Sequence, residues 1–405
     1  MKMKLKMGIC FSLVLSICFI SGCWDSREVN DIAVELAWGI DKAPDNKVII
    51  SAQTIIPSKI GGGKNGVEGG TSKGKSYFTV TSDGMNTLDA VQKIQTKLSR
   101  QIFRGHRRVI AIGESMARQG IKEVFDTYTR DPNLKLRTDI YVVQGKTAKD
   151  FLMASYPLES VPGLGVLGEY AQMGIKTEMG LLNFLLDATS EGACPALPAI
   201  ATGKKPDPQD EGEKDQDQEV PRITGFGILN KDLKLVGFLN LEEGQAMQWI
   251  TGKLKRATIS AMIPQEDGNV SMILNKLNSK IQPYYQGNRI KINVTLTGQG
   301  AIRENNTNLD LTDTDNVALL QNELNKHVEK SVLQTIGKVQ KNYGTDVFGF
   351  SEVIRRKNKS LWKSVRSDWE TEFREAEISV NAKLTVRRLG VTGPSLQLNK
   401  NEIKK

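Results

Sequence analysis

Arg108-Val109-Ile110-Ala111-Ile112-Gly113-Glu114-Ser115 is the stretch whose reading decides the fold class. Val109 to Ile112 is a short apolar run ended by a glycine, the pattern of a strand. A helix pattern follows, from about Ser115 to Tyr128. Leu136 to Val143 is again strand-like. A strand, a helix and a second strand in this order form a βαβ-type unit, so at least part of the chain is an α/β layer.

Working outward toward the N-terminus, Thr87 can cap a helix with the apolar stripe Leu88, Val91, Ile94, Leu98 and Ile102. Tyr77 to Val80 is a strand. Pro57 to Lys75 is Gly/Ser/Lys-rich and reads as a flexible loop. Asp31 to Ile56 holds two strands around a Pro-Asp-Asn turn, with Val34, Leu36 and Trp38 alternating in the first. Toward the C-terminus, residues 147–190 read as mainly helical. Gly203 to Pro221 has almost no apolar residue and cannot offset its ordering entropy. A hairpin is expected around Asn230-Lys231-Asp232, then a helix from Glu242 to Ile250 and a strand from Ala257 to Ile263. Val270–Ile281 and Arg289–Ile302 are long strands. Thr314 to Tyr343 is the longest helix pattern, with its stripe on Val317, Leu320, Leu324, Val328, Val332, Ile336, Val339 and Tyr343. A helix over Ser360–Phe373 and a strand over Glu377–Arg388 close the pattern.

The expected fold class is α+β, with mixed α/β sheets and packed helices. A chain of 405 residues is too long for one core. We expect a signal segment over 1–22, an N-terminal α/β domain over 23–145, and a middle α+β domain over 146–266 with a disordered acidic loop at 202–220. A C-terminal α+β domain carrying the long helix is expected over 267–405.

The N-terminus shows how the chain is held. Lys2, Lys4 and Lys6 precede an uncharged apolar run of 14 residues, Met7 to Ile20. That is short for a bilayer span, which takes about 20 residues, and suits a signal peptide. Ile20-Ser21-Gly22-Cys23 resembles the bacterial lipobox, in which the cysteine thiol receives a diacylglyceryl group and cleavage makes that cysteine the new N-terminus. Cys23 is thus the expected lipidation site, with possible further N-acylation. Cys10 and Cys18 leave with the signal, and Cys194 alone remains, so no internal disulfide framework is expected. Loss of three lysines takes the net charge from +9 to +6, which suits an anionic membrane surface as well as plain solvation. Nucleic acid is disfavoured, because the basic residues are spread out and the body is exported.

Two motifs look like chemistry and lack its context. Gly69-x4-Gly74-Lys75-Ser76 matches the phosphate-binding loop, which requires a strand before it and a helix after it; a strand pattern follows instead. Gly113-Glu114-Ser115-Met116-Ala117 resembles a nucleophile elbow with Ala117 where the last glycine belongs, and Glu114 or Ser115 reads as a helix cap. The one downstream histidine, His327, lies inside the long helix pattern. His106 sits among three arginines at a corner, where a structural hydrogen bond is expected and Gly105 suggests a helix C-cap. With two histidines and no Cys/His cluster, no metal and no cofactor is expected. Arg355, Arg356, Lys357, Lys359, Lys363 and Arg366 accompany Trp362 and Trp369. This stretch reads first as a solvated face behind core tryptophans, and second as a surface for lipid headgroups or an acidic partner loop.

Gly22-Cys23-Trp24-Asp25, Glu28 to Ala33, Leu98-Ser99-Arg100, Gly105 to Val109, Ile112-Gly113-Glu114, Ala117 to Ile121 and Arg130-Asp131-Pro132 occur in this order. Ile223-Thr224-Gly225, Leu235 to Leu239, Asp346 to Phe350, Trp362, Trp369, Phe373 and Arg387 to Gly390 follow them. In these residues the chain resembles the Ger(x)C family, the lipoprotein C subunits of bacterial spore germinant receptors. The resemblance implies three mixed α/β domains and a non-enzymatic subunit needed for nutrient-triggered germination. It also implies integral membrane A and B subunits as partners, and a lipid anchor through Cys23 in the spore inner membrane with the body on the extracytoplasmic face. The alternative is a lipid-anchored solute-binding protein of a transporter, which would have two doubly wound lobes.

Overall fold

The computed structural model describes residue 28 and residues 31–56, 76–131, 135–156, 158–176, 180–204, 219–264, 266, 268–286 and 289–388. The signal segment, Cys23, residues 57–75 of the Gly-rich loop, residues 205–218 of the expected acidic loop and the end from residue 389 lie outside them. The flanks of that acidic loop are strand, up to Lys204 on one side and from Glu219 on the other.

β1 (Ile32–Lys42) and β2 (Val48–Ile55) form an antiparallel hairpin. Its turn places Asp45 and Asn46 at φ 55 and 56, a left-handed conformation that short polar side chains tolerate. β3 (Tyr77–Gly84) pairs antiparallel with β2. The other side of β1 takes two parallel partners in tandem: β4 (Gln101–Phe103) against Ile32–Val34, then β5 (Val109–Gly113) against Ala37–Ile40. A register shift between Glu35 and Ala37 separates the two. Of the alternating Val34, Leu36 and Trp38 only Trp38 is buried: before the shift the buried set is Ala33 and Glu35, and Val34 and Leu36 are half-buried. β6 (Asp139–Gln144), β7 (Ala196–Lys204), β8 (Glu219–Leu229) and β9 (Leu235–Asn240) complete the sheet, in the order β3-β2-β1-β5-β6-β7-β8-β9. The βαβ unit read from residues 108–143 is present, since β5 and β6 are parallel neighbours.

Several helices differ in extent from their sequence patterns. α1 (Thr87–Gln95) is capped by Asn86, which accepts from Asp89 N, and Thr87 is its buried first residue. It stops at Gln95 rather than reaching Ile102. The Gln95 amide donates to Arg100 O and accepts from Ile102 N, both at 2.9 Å, which turns the chain into β4. The single helix expected over 115–128 is two, α2 (Glu114–Gln119) and α3 (Lys122–Thr129), broken at Gly120 with φ 120. α4 (Ala148–Met153), α5 (Pro162–Gln172) and α6 (Gly180–Thr189) fill the region expected to be helical. α7 (Leu241–Ile250) follows β9 directly, with Asn240 and Glu243 in a reciprocal capping box.

The second sheet is β10 (Arg256–Ile263), β11 (Gly268–Gln286), β12 (Arg289–Asn305) and β13 (Glu377–Arg388), antiparallel except for the β12–β13 pair. α8 (Thr314–Lys338) lies along β13 and covers its open edge in an unusual way. Gln321, Asn325 and Glu329 accept from the backbone N–H groups of Val386, Leu384 and Ala382 at 2.8, 2.9 and 2.9 Å. Four helical residues rise about 6 Å and two strand residues about 6.6 Å, so the two ladders match. An exposed strand edge is thereby satisfied without another strand.

One core packs α1–α3 and α6 on one face of the first sheet; the other continues from α4, α5 and α7 into the second sheet and α8. Strand pairing runs across residues 145 and 266, where the sequence places domain boundaries: β6 pairs with β7 and β10 with β11. The hydrogen-bonded units are two sheets, and they do not form two doubly wound lobes. The α+β class with mixed sheets is what the sequence pattern implies.

Candidate functional site

Cys23, the expected lipidation site, lies outside the described residues, as do Gly69 to Lys75 of the phosphate-loop match. Ser76 leads into strand β3, where that mechanism needs a helix, and its hydroxyl reaches Ser160 O at 3.5 Å. Ser115 is exposed on α2. His327 lies on α8 and lines a 220 Å³ cavity with Trp249, Ser260 and Ser331, a cavity that does not include Ser115. Among the described residues His327 and Ser115, the two groups that a hydrolase would have to bring together, stand on separate helices, His327 at a cavity that Ser115 does not line.

The expected cap at the start of α2 needs correcting. The N-cap is Gly113, and no side chain caps the helix. Glu114 instead accepts from Arg118 and, at 2.7 Å, from Gly145 N, tying α2 to the end of β6. Ser115→Ala should therefore change stability by less than about 0.5 kcal/mol. Thermal unfolding checks this; a loss of about 1 kcal/mol or more would show that the Ser115 hydroxyl does cap the helix.

The corner at residues 104–108 is a 3-10 turn after a strand, not a helix C-cap. His106 is exposed there, its ring 5.4 Å from that of Phe103. The buried residue is its neighbour. Arg107 forms an ion pair with Glu35, donates to Tyr128 Oη at 3.0 Å, and lies 3.6 Å over the Trp38 ring. Burial pushes the Glu35 carboxyl above the usual carboxylate range while the Arg107 guanidinium opposes it. This cluster closes one wall of a 360 Å³ cavity rimmed by Leu88, Val91 and Arg130. Sequence reasoning missed Glu35. Its one signal was a carboxylate inside the otherwise uncharged run of residues 32–40, a placement that needs a partner.

Burial acts on Asp139 as well, raising its carboxyl to about 7 against the nearby charge of Arg108 and one backbone donor, Gly180 N. A raised carboxylate pKa means that the fold favours the protonated form. The contribution is thus complete below the unfolded pKa of about 4 and is lost as pH rises through 7. Asp139→Asn should gain stability relative to wild type as pH rises from 4 to 8, by about 1.4 kcal/mol per unit at most. Denaturant unfolding of both proteins across that range checks it; a difference independent of pH would show that burial does not raise the Asp139 carboxyl above its unfolded value.

The basic stretch divides. α9 (Phe350–Lys357), α10 (Lys359–Val365) and α11 (Trp369–Glu375) replace the single helix expected over 360–373, with a 3-10 turn at Arg366–Asp368. Trp362, Trp369 and Phe373 are buried, and the indoles meet edge-on at 5.5 Å. Trp362 Nε1 donates to Glu191 at 2.7 Å. The tryptophans are core, as the solvated-face reading has it. Of the cations, Arg355 is paired with Glu352 at 2.7 Å and Arg366 approaches Glu191 at 4.0 Å. Among the described residues no group of three or more His, Cys, Asp or Glu could hold a metal ion, and no helix is long and apolar enough to cross a membrane.

Residues 25–202 match the family model "Spore germination protein N-terminal domain", and residues 224–390 match "Spore germination B3/GerAC like, C-terminal". Among curated relatives, Spore germination protein KC of Bacillus subtilis (strain 168) is 26% identical over 388 residues, covering 94% of this chain and 95% of its own. Spore germination protein B3 of the same organism is 24% identical, covering 97% and 100%. The fold is that of a solved structure titled "Crystal Structure of the GerBC protein", with a TM-score of 0.56 at 18% identity, covering 86% of this chain and 96% of that one. The two models together span both sheets, so this chain belongs to the Ger(x)C family of spore germination proteins.

Proposed function

We propose that the chain is the lipid-anchored C subunit of a nutrient germinant receptor. Cys23 tethers it to the spore inner membrane, and the body acts by contact on the A and B membrane subunits from the extracytoplasmic face. The observation that carries this reading is similarity to spore germination proteins along more than nine-tenths of the chain, joined to a lipobox at the start of the mature body. A role without catalysis fits the two motifs, neither of which has the partner groups its mechanism needs. A lipoprotein held by two or more acyl chains stays on the bilayer, whereas one chain binds only marginally.

Cys23→Ala should abolish acylation, shift the protein into the soluble fraction and slow nutrient germination. Detergent phase partitioning and mass spectrometry of the N-terminal peptide read the first two effects. An unmodified Cys23 in native spore protein would end the anchor reading, and normal co-purification partners other than membrane receptor subunits would end the receptor reading.

A further inference from the structure

An open cleft of about 530 Å³ lies where the first sheet meets the second, between the end of α7, strand β11 and α9. Its floor is apolar, with Ile250, Ile281, Val347 and Phe348. Its walls carry four cations, Lys253, Lys280, Arg356 and Lys357, and two carboxylates, Asp187 and Glu352. Both carboxylates are already engaged. Asp187 is 3.6 Å from Lys253, and Glu352 accepts from Ser190 Oγ at 2.6 Å and from Arg355 at 2.7 Å. Lys357 donates to a carbonyl, Ile281 O, at 2.6 Å. Lys280 and Arg356 have no carboxylate within ion-pair distance among the described residues. Ser279 Oγ, on the same wall, is buried without a hydrogen-bond partner in the structure.

The positive charge therefore exceeds what the cleft's own acids balance, and it surrounds an apolar floor. Low-dielectric walls focus such a potential into the concavity. We propose that this cleft docks an acidic segment of a partner protein, with an apolar side chain on the Phe348–Ile281 floor and carboxylates toward Lys280 and Arg356. The inference rests on the contact role proposed above and names one place where that contact is made. A flat bilayer could reach a protruding basic face but not this floor. Pairing of an added strand along β11 is discouraged, because Lys276, Lys280 and Pro283 line that edge and side chains already occupy the carbonyls of Asn278 and Ile281. Recognition is by side chains.

Zero-length carbodiimide coupling joins a lysine amine to a carboxylate only when the two touch, so it reads the proposed pair directly. Applied to membranes of dormant spores, it should join Lys280 to an Asp or Glu of another polypeptide, mapped by mass spectrometry. Arg356→Glu should cut that yield at least fivefold, and Arg355→Glu, whose guanidinium is already paired, should leave it within twofold. Equal unfolding midpoints would show that both variants fold. No coupling of Lys280 to another polypeptide, or an unchanged yield in Arg356→Glu, overturns the proposal. Lys280 shielded by phosphatidylglycerol vesicles and coupled to no protein overturns it in favour of a lipid surface. Coupling to a protein outside the receptor would uphold the cleft and reject the receptor reading.

Discussion

Arg107→Met is expected to lower the unfolding free energy by about 3–5 kcal/mol, because it strands the Glu35 carboxylate in a fully buried site. The loss should shrink as pH falls, since a stranded Glu35 takes up a proton and burial already holds its pKa high. Removing both partners, Glu35→Leu with Arg107→Met, should recover most of the loss. About 1 kcal/mol would remain for the Tyr128 hydroxyl left unpaired. Denaturant unfolding of the wild type, the single variant and the double variant at pH 5 and pH 8 separates these effects. A single variant within 1 kcal/mol of wild type at pH 8 would mean that the cluster is hydrated and not a buried pair.

Trp369→Ala should cost a similar amount, about 3–5 kcal/mol, through the cavity it leaves against Trp362 and Phe373. A loss of that size removes much of a marginal stability and should lower the protein's level in spores several-fold. Trp369→Phe should behave differently. The Trp369 indole N–H is buried without a hydrogen-bond partner in the structure, so the phenyl ring gives up no bond and should cost less than about 1.5 kcal/mol. Immunoblots of spores and unfolding of the purified proteins test the contrast. Equal effects of the two substitutions would show that Nε1 has a partner.

Much of the fold was legible because its signals are local. The strands at 109–113, 268–286 and 289–305 show as apolar runs or alternations. The long helix shows as a stripe of which Leu320, Leu324, Val328, Val332, Ile336 and Val339 are buried, while Val317 and Tyr343 at its two ends are only half-buried and the α-helix itself stops at Lys338. The hairpin at Asn230 shows because that side chain can hold the turn, accepting from the backbone N–H groups of Asp232 and Lys234. Helix ends were less legible. Gln95 stops α1 by reaching a strand that exists only once β4 lies on β1, and Gly120 breaks α2 from α3 where the apolar spacing alone reads as continuous. Propensity and period speak for the inside of an element, whereas its end depends on what it meets.

Family membership and the lipobox-like run that ends at Cys23 are legible in the sequence, because motif order and short-range pattern need no coordinates. The inward charge of Glu35 and Arg107, the capped edge of β13 and the cleft beside Arg356 were decided only by tertiary structure. Each joins residues far apart in the chain: Glu35 with Arg107, Gln321 with Val386, Lys280 with Arg356. A charged side chain looks the same in sequence whether it is solvated, paired or left facing a cleft. Its energy depends on the dielectric and the partners that packing brings to it, and those are set by the arrangement of the two sheets.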